Sequence, residues 1–457
     1  MQLAHIILAA GKGTRMKSQR PKVLHPILDQ PMILYAVDTS VQVTSRPPVL
    51  VVGHQAEEVM QTVGDRAQYV MQEEQLGTGH AVMVAMPAVR GHADAVLVTY
   101  GDMPLLRAET LRRLVQIHAR TQSTITMLSV ILDDPHGFGR ILRDDAGNVV
   151  GVVEEVDATP EQRRIRELNA GIYCFDAAWL DDHLHRIQPS PVKGEYYLPE
   201  LIAMAVQEGR GVQAVPADDP NEVVGINTRV HLAEATRIMQ QRINEQWMLA
   251  GVTIVDPTST YIGPHVRLSE DVVLHPQVTL YGETVVGQGT EIGPQAYVLS
   301  STIGEGCRIF YSVVEHAIVE DEVDIGPFGH LRKGAHLARG VHMGNFGEVK
   351  NSYLGPGTKM GHFSYVGDAQ VGANVNIGAG TITCNYDGVR KHKTIIEDDV
   401  FIGSDTMLVA PVRIGRGAKT GAGSVVTRDV PPHTLAYGVP ARPRRRLADQ
   451  EDEETRT

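Results

Sequence analysis

Two glycines and several cations follow the first apolar run of the chain, in an arrangement suited to binding phosphate. The run at residues 5–9 reads as a strand and leads into Gly11-Lys12-Gly13-Thr14-Arg15, with Lys22 shortly after. Glycine at the carboxyl end of a strand lets backbone N–H groups approach a phosphate closely, and the cations supply charge. The loop is not a P-loop, because the pattern G-x-x-x-x-G-K-(S/T) is absent. It is not a dinucleotide fingerprint either, because Met16 stands where that motif has its third glycine. A purely structural turn is the alternative.

A carboxylate after a later apolar run is a candidate ligand for a divalent cation. Asp102 comes directly after residues 95–99, which read as a buried strand. Ligands of open α/β sheets bind at the carboxyl ends of strands, where Mg²⁺ takes carboxylate and phosphate oxygens. Because Asp102 precedes a turn that contains Pro104, an Asx-turn is the alternative role.

The C-terminal half contains a second group of residues suited to chemistry. Arg332 and Lys350 lie eighteen residues apart, which places them on successive coils if three six-residue repeats make one coil. Two stacked cations suit a phosphate, and a solvated charged edge is the alternative. His362 lies nearby in Gly361-His362-Phe363-Ser364-Tyr365. An imidazole can accept a proton from an attacking amine at neutral pH, although a lone histidine is more often a polar surface residue.

A six-residue period must position these C-terminal residues. From Ile262 to Val298 an aliphatic residue returns at every sixth position, and the residue two places before it is small or β-branched. Helices and ordinary half-buried strands do not repeat in this way, whereas very short strands joined by sharp turns do. The pattern predicts a parallel β-helix rather than a set of glycine-rich hairpins. The period fails between Gly378 and Ile396, which predicts an extruded loop at which function concentrates.

The residues before the β-helix alternate strand-like and helical runs, which is the α/β pattern. Strands are expected at residues 5–9, 49–52, 95–99 and 125–130. Residues 229–250 contain no proline or glycine and carry an apolar stripe, so they predict a long connecting helix. We therefore expect an α/β domain at residues 1–228, a linker helix at 229–250, a β-helix at 251–441 and a disordered tail at 442–457.

Composition narrows the class of protein further. The net charge of −12 argues against a nucleic-acid binder, because phosphate-backbone affinity needs a basic surface. Three widely spaced cysteines, Cys174, Cys307 and Cys384, form neither a disulfide framework nor a metal site. No N-terminal leader pattern and no run of about 20 apolar residues is evident. The sequence predicts a cytoplasmic protein without membrane insertion.

The extended N-terminal string, Leu8-Ala9-Ala10-Gly11-Lys12-Gly13-Thr14-Arg15-Met16 followed by Pro21-Lys22, resembles the signature of sugar-1-phosphate nucleotidyltransferases. Further matches lie at Gln72, at residues 76–81, at 100–105, at 137–140 and at 169–171. Together with the β-helix they cover nearly the whole chain. The combination is similar to the bacterial family that is both N-acetylglucosamine-1-phosphate uridyltransferase and glucosamine-1-phosphate N-acetyltransferase.

For the first domain the resemblance implies a Rossmann-like fold that transfers uridylyl from UTP to N-acetylglucosamine 1-phosphate and releases pyrophosphate. Arg15 and Lys22 would be catalytic, and Asp102 and Asn227 would hold Mg²⁺. The family also implies substrate contacts at Leu8, Ala9, Ala10, Gly11, Gln72, Gly77, Thr78, Tyr100, Gly101, Gly137, Glu154 and Asn169. Taken alone, Asn169 and Asn227 would be read as turn or cap residues.

For the second domain the resemblance implies a left-handed β-helix that transfers acetyl from acetyl-CoA to glucosamine 1-phosphate, with His362 as general base. The implied sugar-phosphate contacts are Arg332, Lys350, Tyr365, Asn376, Asn385 and Lys391. The implied acetyl-CoA contacts are Ala379, Asn385, Tyr386, Ser404 and Ala422. Asn385 and Tyr386 would help to hold the acetyl group. A homotrimer with acetyltransferase sites between subunits is also implied.

Two positions depart from the family pattern. Pro199-Glu200 stands where Thr-Asp is expected, and Gly438 replaces an arginine suited to the coenzyme A phosphate, for which Arg442 or Arg444 is a candidate substitute. Two other functions stay open. One is a monofunctional nucleotidyltransferase whose β-helix serves oligomerisation or regulation, against which His362 and the extruded loop argue. The other is a non-catalytic scaffold, against which intact Arg15, Lys22 and Asp102 argue.

Overall fold

The computed structural model describes residues 1–133, 137–191 and 194–447. The chain divides into two compact units, Met1–Met239 and Gln240–Thr457. Within the described ranges, no helix is long and apolar enough to cross a membrane.

The first unit is an α/β structure whose main sheet has nine strands in the described residues. The strands of this unit, including the separate pair β2 and β3, are β1 Leu3–Leu8, β2 Pro26–Ile27, β3 Gln30–Pro31, β4 Val49–Val52, β5 Gln68–Met71, β6 Ala95–Tyr100, β7 Ile125–Ile131, β8 Gly139–Arg143, β9 Val149–Val153, β10 Glu167–Asp176 and β11 Val212–Pro216. Its helices are α1 Met32–Val43, α2 Ala56–Val63, α3 Thr78–Val89, α4 Ala108–Thr121, α5 Ala177–His183, α6 Glu200–Gln207 and the first half of α7 Arg229–Leu249.

The strand order of this sheet brings the candidate phosphate and metal residues to one edge. The order is β11-β7-β10-β6-β1-β4-β5, and β1 runs parallel to both β4 and β6. Such central strands are buried on both faces, which explains their continuous apolar runs. Leu8 pairs with Tyr100, so β1 and β6 end side by side. The chain proceeds from β1 to one side and returns to the other at β6, which makes this edge a topological switch point where ligands bind.

The second unit coils through three sheets, and its strands are numbered here in chain order. The first sheet contains β12 Thr253–Ile254, β15 Val273–Leu274, β18 Glu291–Ile292, β21 Arg308–Ile309, β24 Asp324–Ile325, β27 His342–Met343, β30 Lys359–Met360, β33 Asn376–Ile377, β36 Phe401–Ile402, β39 Lys419–Thr420, β41 Thr434–Gly438 and β42 Ala441–Arg446. The second contains β13 Tyr261–Ile262, β16 Thr279–Tyr281, β19 Tyr297–Leu299, β22 Val313–Glu315, β25 His330–Leu331, β28 Gly347–Lys350, β31 Ser364–Gly367, β34 Ile382–Cys384, β37 Met407–Val409 and β40 Val425–Val426. The third contains β14 Arg267–Leu268, β17 Val285–Val286, β20 Thr302–Ile303, β23 Ile318–Val319, β26 His336–Leu337, β29 Tyr353–Leu354, β32 Ala369–Val371, β35 Thr394–Ile396 and β38 Val412–Ile414.

The pairing register confirms the predicted β-helix of hexapeptide repeats. Arg267 pairs with Val285 eighteen residues later, and Val285 pairs with Thr302 seventeen residues later, both in parallel. One coil is therefore three repeats. The two predicted inward positions of each repeat form the core, as Val278 and Leu280 illustrate with no exposed surface.

One coil is longer and carries the extruded loop. Its register pairs Ile382 with Met407, twenty-five residues later. Because β34 and β35 keep their places in the sheets, the extruded segment is residues 385–393, which is narrower than the predicted interval. The reason is that Thr383 is an inward core residue of β34, and a polar residue hides the period in the sequence.

Helix α7 belongs to both units, because the division between them falls within it. Its first half buries Ala235 and Ile238 in the core of the first unit. In its second half the Asn244 amide donates to the carbonyls of Pro257 and Thr260 in the first coil region. The helix is thus an integral part of each core rather than a separate linker.

The end of the β-helix differs from the expected disordered tail. Strand β42, Ala441–Arg446, pairs antiparallel with β41 and so covers part of the last sheet edge. Backbone pairing orders these residues although their side chains are mostly charged. Residues 448–457 of the expected tail lie outside the described residues.

We expect a fragment of residues 1–239 to fold, and a fragment of residues 1–230 to be less stable because it lacks Ala235 and Ile238. Burial of one isoleucine side chain contributes about 1.5–3 kcal/mol. Thermal unfolding followed by circular dichroism compares the fragments, with Ile238→Ala and the exposed Arg237→Ala in the longer fragment as a matched pair. Equal midpoints for the two fragments would show that α7 does not complete the first core.

Candidate functional site

A cavity of about 300 Å³ lies at the carboxyl ends of β1 and β6. Its wall contains ten of the predicted substrate contacts, Leu8, Ala9, Ala10, Gly11, Lys22, Gln72, Gly77, Thr78, Tyr100 and Asp102. It also contains Val23, Gln75, Ala81, Glu195 and Tyr197, which sequence reasoning missed. Glu195 and Tyr197 adjoin the segment that departs from the family pattern, and no local pattern in the sequence ties them to the glycine loop.

The two predicted metal ligands converge on one cation. The Lys22 ammonium donates to Asp102 Oδ2 and also to Asn227 Oδ1, the latter over 3.3 Å. The Arg15 guanidinium donates to the same Asn227 oxygen at 2.9 Å. Two oxygens within reach of one positive charge fit a divalent cation. Within the described parts of the chain no cluster of three or more His, Cys, Asp or Glu residues could hold a metal, and Mg²⁺ needs none because it keeps waters and substrate phosphates as ligands.

Backbone geometry brings these side chains together. The Ile226 N–H donates to the Asp102 carbonyl at 2.9 Å, which fixes the segment containing Asn227 beside the end of β6. Gly13 has a φ of 60°, and a Cβ there would lie 2.6 Å from the Lys22 Cβ. Only glycine allows the loop to turn this closely against Lys22.

The part of the pocket wall that contains Gln72, Gly77 and Thr78 is held by hydrogen bonds of these predicted substrate contacts. The Gln72 amide donates to the Gly77 carbonyl at 3.2 Å, and the Thr78 hydroxyl accepts from the Leu198 N–H at 3.2 Å. A Cβ on Gly77 would lie 2.7 Å from the Tyr196 carbonyl oxygen. Gln72, Gly77 and Thr78 therefore position the wall as well as line it.

The remaining predicted contacts, Arg15, Gly101, Gly137, Glu154, Asn169 and Asn227, are not part of the wall of this cavity in the described residues. Burial first, and then the Asp102 and Glu154 carboxylates, raise the pKa of Tyr100, which places both acids near its phenol. The Asn169 amide donates to the Tyr173 hydroxyl at 2.7 Å and accepts from the Gly171 N–H at 3.0 Å. Asn169 thus stabilises an irregularity of β10.

In the second unit, three cations predicted to bind phosphate lie together. Arg332 follows Leu331, which pairs with Val349, so Arg332 and Lys350 occupy successive coils as predicted. A close contact with the Lys391 ammonium, and then the charge of Arg332, lower the pKa of Lys350. Because these cations repel one another, an anion bound among them is favoured.

The extruded loop contributes to the same cluster. Arg332 donates to the Glu348 carboxylate at 2.9 Å, and Glu348 pairs in the sheet with Tyr365. The Asn385 amide nitrogen lies 3.5 Å from the Tyr365 hydroxyl. The structure therefore unites five predicted residues, Arg332, Lys350, Tyr365, Asn385 and Lys391. Tyr386 forms an isolated antiparallel β-bridge with Lys391, whereas Asn376 makes no hydrogen bond to this cluster within the described residues.

His362 and the predicted acetyl-CoA contacts lie in turns that stack on one corner of the β-helix. The turns containing His362, Ala379, Ser404 and Ala422 each connect the first sheet to the second. The turns of Ala379, Ser404 and Ala422 each donate a backbone N–H to a carbonyl of the turn on the preceding coil, over 2.6–2.8 Å, and the first of these bonds ends on the turn of His362. His362 is exposed and, in the described residues, makes no side-chain hydrogen bond. Tyr365 lies three positions further along the chain, which limits the separation of the two Cα atoms to about 10 Å.

The column of turns continues to the arginine-rich end of the chain. The Gly421 N–H donates to the Ala436 carbonyl at 2.9 Å, which places Tyr437 on the next coil. The Arg444 guanidinium lies 5.2 Å from the centroid of the Tyr437 ring. Gly438, which departs from the family pattern, follows Tyr437 directly. Arg444 therefore brings a positive charge close to the position at which the family's arginine is missing.

Comparison with known proteins finds a separate family model in each of the two units. The family model of the MobA-like NTP transferase domain matches residues 5–151, and that of the bacterial transferase hexapeptide (six repeats) matches residues 393–428. The chain is 50% identical to the bifunctional protein GlmU of Heliobacterium modesticaldum over 94% of each chain. It is 49% identical to that of Geobacter metallireducens over 95% of each, and 46% identical to that of Carboxydothermus hydrogenoformans over 98% of this chain and 99% of the relative. The chain belongs to the family of bifunctional GlmU proteins.

Proposed function

We propose that the chain catalyses two consecutive reactions of UDP-N-acetylglucosamine synthesis. The β-helix acetylates glucosamine 1-phosphate, and the α/β unit then transfers uridylyl from UTP to the N-acetylglucosamine 1-phosphate formed. The observation that carries the proposal is the presence of two separate cationic sites, one around Lys22 and one around Lys350, each of which suits a phosphate. The order follows from the substrates, because the product of the first reaction is consumed in the second.

In uridylyl transfer, a phosphate oxygen of the sugar phosphate attacks the α-phosphorus of UTP and pyrophosphate leaves. Two polyanions must come together, so positioning and charge neutralisation supply most of the catalysis. Arg15 and Lys22 stabilise the phosphates, while Gln72, Gly77 and Thr78 hold uracil and Gly137, Glu154 and Asn169 face the sugar. Mg²⁺ held by Asp102 and Asn227 would neutralise further phosphate charge when bound.

In acetyl transfer, the amine of glucosamine 1-phosphate attacks the thioester carbonyl of acetyl-CoA, and the coenzyme thiolate leaves. His362 takes the proton that the amine loses. Arg332, Lys350 and Lys391 hold the sugar phosphate. Acetyl-CoA lies along the turns of Ala379, Ser404 and Ala422, with its distal phosphate near Arg444. A backbone N–H of the extruded loop is a candidate donor to the developing oxyanion.

A single set of assays tests the two activities against the alternative of one. The protein is incubated with glucosamine 1-phosphate, acetyl-CoA, UTP and Mg²⁺, and each component is then omitted in turn. We expect UDP-N-acetylglucosamine only with all four. If the β-helix is an oligomerisation or regulatory module, free coenzyme A will not form, and product will require added N-acetylglucosamine 1-phosphate.

We further propose that the protein is cytoplasmic. The proposed substrates, UTP and acetyl-CoA, are cytoplasmic metabolites. In addition, the thiols of Cys174, Cys307 and Cys384 are free in the structure. Free thiols are typical of a reducing compartment.

We also propose a homotrimer, supported by an exposed column of aromatic rings on the β-helix. Tyr311, Phe328 and Phe346 stack on successive coils, with centroids 5.9 and 5.1 Å apart. Phe328 and Phe346 are 54% and 62% exposed and have φ angles of 63° and 56°. Bulky residues rarely adopt such angles, and exposed apolar patches of this kind mark interfaces. The turn of His362 carries the next aromatic, Phe363, so the same contact would place a second subunit beside the acetyltransferase residues.

Removing a cation or a metal ligand from the first site should strongly lower uridylyl transfer and spare acetyl transfer. We expect Arg15→Ala and Asp102→Ala each to lower uridylyl transfer by about 10²- to 10³-fold, the usual effect of losing one electrostatic contact. Pyrophosphate release and free-thiol formation are measured on the same preparations. Equal loss of both activities would contradict separate sites.

Removing the imidazole of His362 should remove general-base catalysis. We expect His362→Ala to leave the attacking amine without its proton acceptor. The rate of acetyl transfer should fall by roughly 10² to 10⁴, the usual contribution of a positioned base. Uridylyl transfer and acetyl-CoA affinity serve as controls and should stay near wild type. Retention of more than about a tenth of the rate would exclude His362 as the principal base.

Charge on the aromatic column should dissociate the trimer. We expect Phe328→Asp combined with Phe346→Asp to reduce the mass in analytical ultracentrifugation from three chains to one and to lower acetyl transfer. Aspartate tolerates the left-handed backbone at both positions better than phenylalanine, so the coil itself should stay folded. Val156→Asp, at an exposed apolar position of the first unit, is the matched control. An unchanged mass would place the interface elsewhere.

A further inference from the structure

Asp368 is a buried carboxylate beneath the acetyltransferase cluster, and the reaction described above does not use it. Its side chain lies in the turn between β31 and β32, and the residue is 7% exposed with a φ of 50°. The backbone N–H of Asp368 donates to the Lys350 carbonyl at 3.1 Å, and its carbonyl accepts from the Thr394 N–H at 3.2 Å. A carboxylate is rarely buried to this extent unless hydrogen bonds compensate for lost hydration.

Two side-chain amides supply those hydrogen bonds. Asn385 donates to Asp368 Oδ2, and Asn351 donates to Asp368 Oδ1. An ionised carboxylate can only accept hydrogen bonds, so each amide must present its nitrogen to Asp368. The orientation of the Asn385 amide is therefore determined by its partner, and its side-chain oxygen must point away from Asp368. Asn385 is itself only 7% exposed, which limits its freedom to turn.

We propose that Asp368 is a positioning residue for acetyl transfer, which orients Asn385 so that the Asn385 side-chain oxygen accepts an N–H of the sugar amine. The inference rests on the proposed acetyltransferase function and deepens it. An attacking amine must aim its lone pair at the thioester carbonyl, and an acceptor for one of its N–H groups fixes that direction. If Asn385 were turned over, it would offer a donor to the amine instead of an acceptor.

Asp368→Asn changes the hydrogen-bond polarity at this position without changing its size. The new amide offers one acceptor oxygen to two neighbours that both donate, so one of them must turn over. Asparagine tolerates a left-handed backbone, so the turn is preserved. We expect kcat for acetyl transfer to fall by about 10- to 100-fold, the usual effect of removing an orienting partner. KM for acetyl-CoA should change little, because the turns of Ala379, Ser404 and Ala422, along which the coenzyme is proposed to lie, are unaltered.

An exchange of the two residues distinguishes positioning from a general need for the carboxylate. In the double variant Asn351→Asp with Asp368→Asn, the new carboxylate at position 351 accepts from the new amide at position 368. The oxygen of that amide is then free to accept from Asn385. We expect the exchange to restore kcat to near wild type. Asn351→Gly is the matched control, because it removes the hydrogen bond from Asn351 to Asp368. Asn351 has a φ of 45°, a left-handed angle that glycine adopts readily. This control variant should keep wild-type kcat and lose some stability.

A double-mutant cycle tests whether Asp368 acts through Asn385. Adding Asp368→Asn to Asn385→Ala should produce no further loss of kcat, since the oriented group is already absent. Independent losses that add would overturn the proposal, as would wild-type kcat in Asp368→Asn or an inactive but folded exchange variant. Thermal midpoints establish folding. If Asp368→Asn alone does not fold, the kcat of the exchange variant tests the proposal instead. Failure of the proposed function itself is distinguishable, because the unaltered protein would then release no coenzyme A thiol.

Discussion

The backbone hydrogen-bond ladder between coils is the constraint on which the second unit depends. Most strands pair in parallel with the strand seventeen or eighteen residues later, as at Val285 and Arg267, and strands on either side of the extruded loop pair twenty-five residues later. This register determines which side chains, although distant along the chain, lie next to one another on the surface. It stacks Arg332 on Lys350 and aligns the turns of His362, Ala379, Ser404 and Ala422. A single inserted residue in a strand would move every outward side chain inward, so the period is maintained wherever one face is core.

Electrostatics explains how the two proposed sites are built. In each, like charges are gathered that would repel one another without a ligand. Lys391 and then Arg332 lower the pKa of Lys350, and Lys22 and Arg15 share the oxygen of Asn227. Buried or partly buried charges are tolerated only when a partner compensates for lost hydration. Asp102 and Asp368 provide such partners, each beside one cluster, so the sites hold their shape before phosphate arrives.

One irregular coil and several left-handed turn residues lie on the part of the β-helix that carries the second site and the aromatic column. The longest coil extrudes residues 385–393, which bring Asn385 and Lys391 to the cluster. The aromatic residues Phe328 and Phe346 adopt left-handed backbone angles that bulky side chains seldom take, at a turn position that is also left-handed at Gln277, Gln295 and Tyr311 on earlier coils. Strain of this kind persists only where the surrounding structure over-determines it. In the β-helix the regular ladder on either side supplies that support.

The sequence by itself determined what is periodic or local. Six-residue repetition predicted the β-helix, and strand ends followed by Gly11, Lys22 or Asp102 predicted a phosphate site at one edge of a sheet. Only the tertiary structure decided which distant groups meet. It joined Asp102 to Asn227 through Lys22, added Glu195 and Tyr197 to the pocket wall, and hydrogen-bonded Asp368 to Asn385. It also buried Thr383 in the core, so the extruded loop is shorter than the sequence predicted. The division between the two units falls within α7, so the domain limits drawn from the sequence shifted as well. The physical reason is that such contacts depend on packing and pairing between segments far apart in the chain, which no local spacing records.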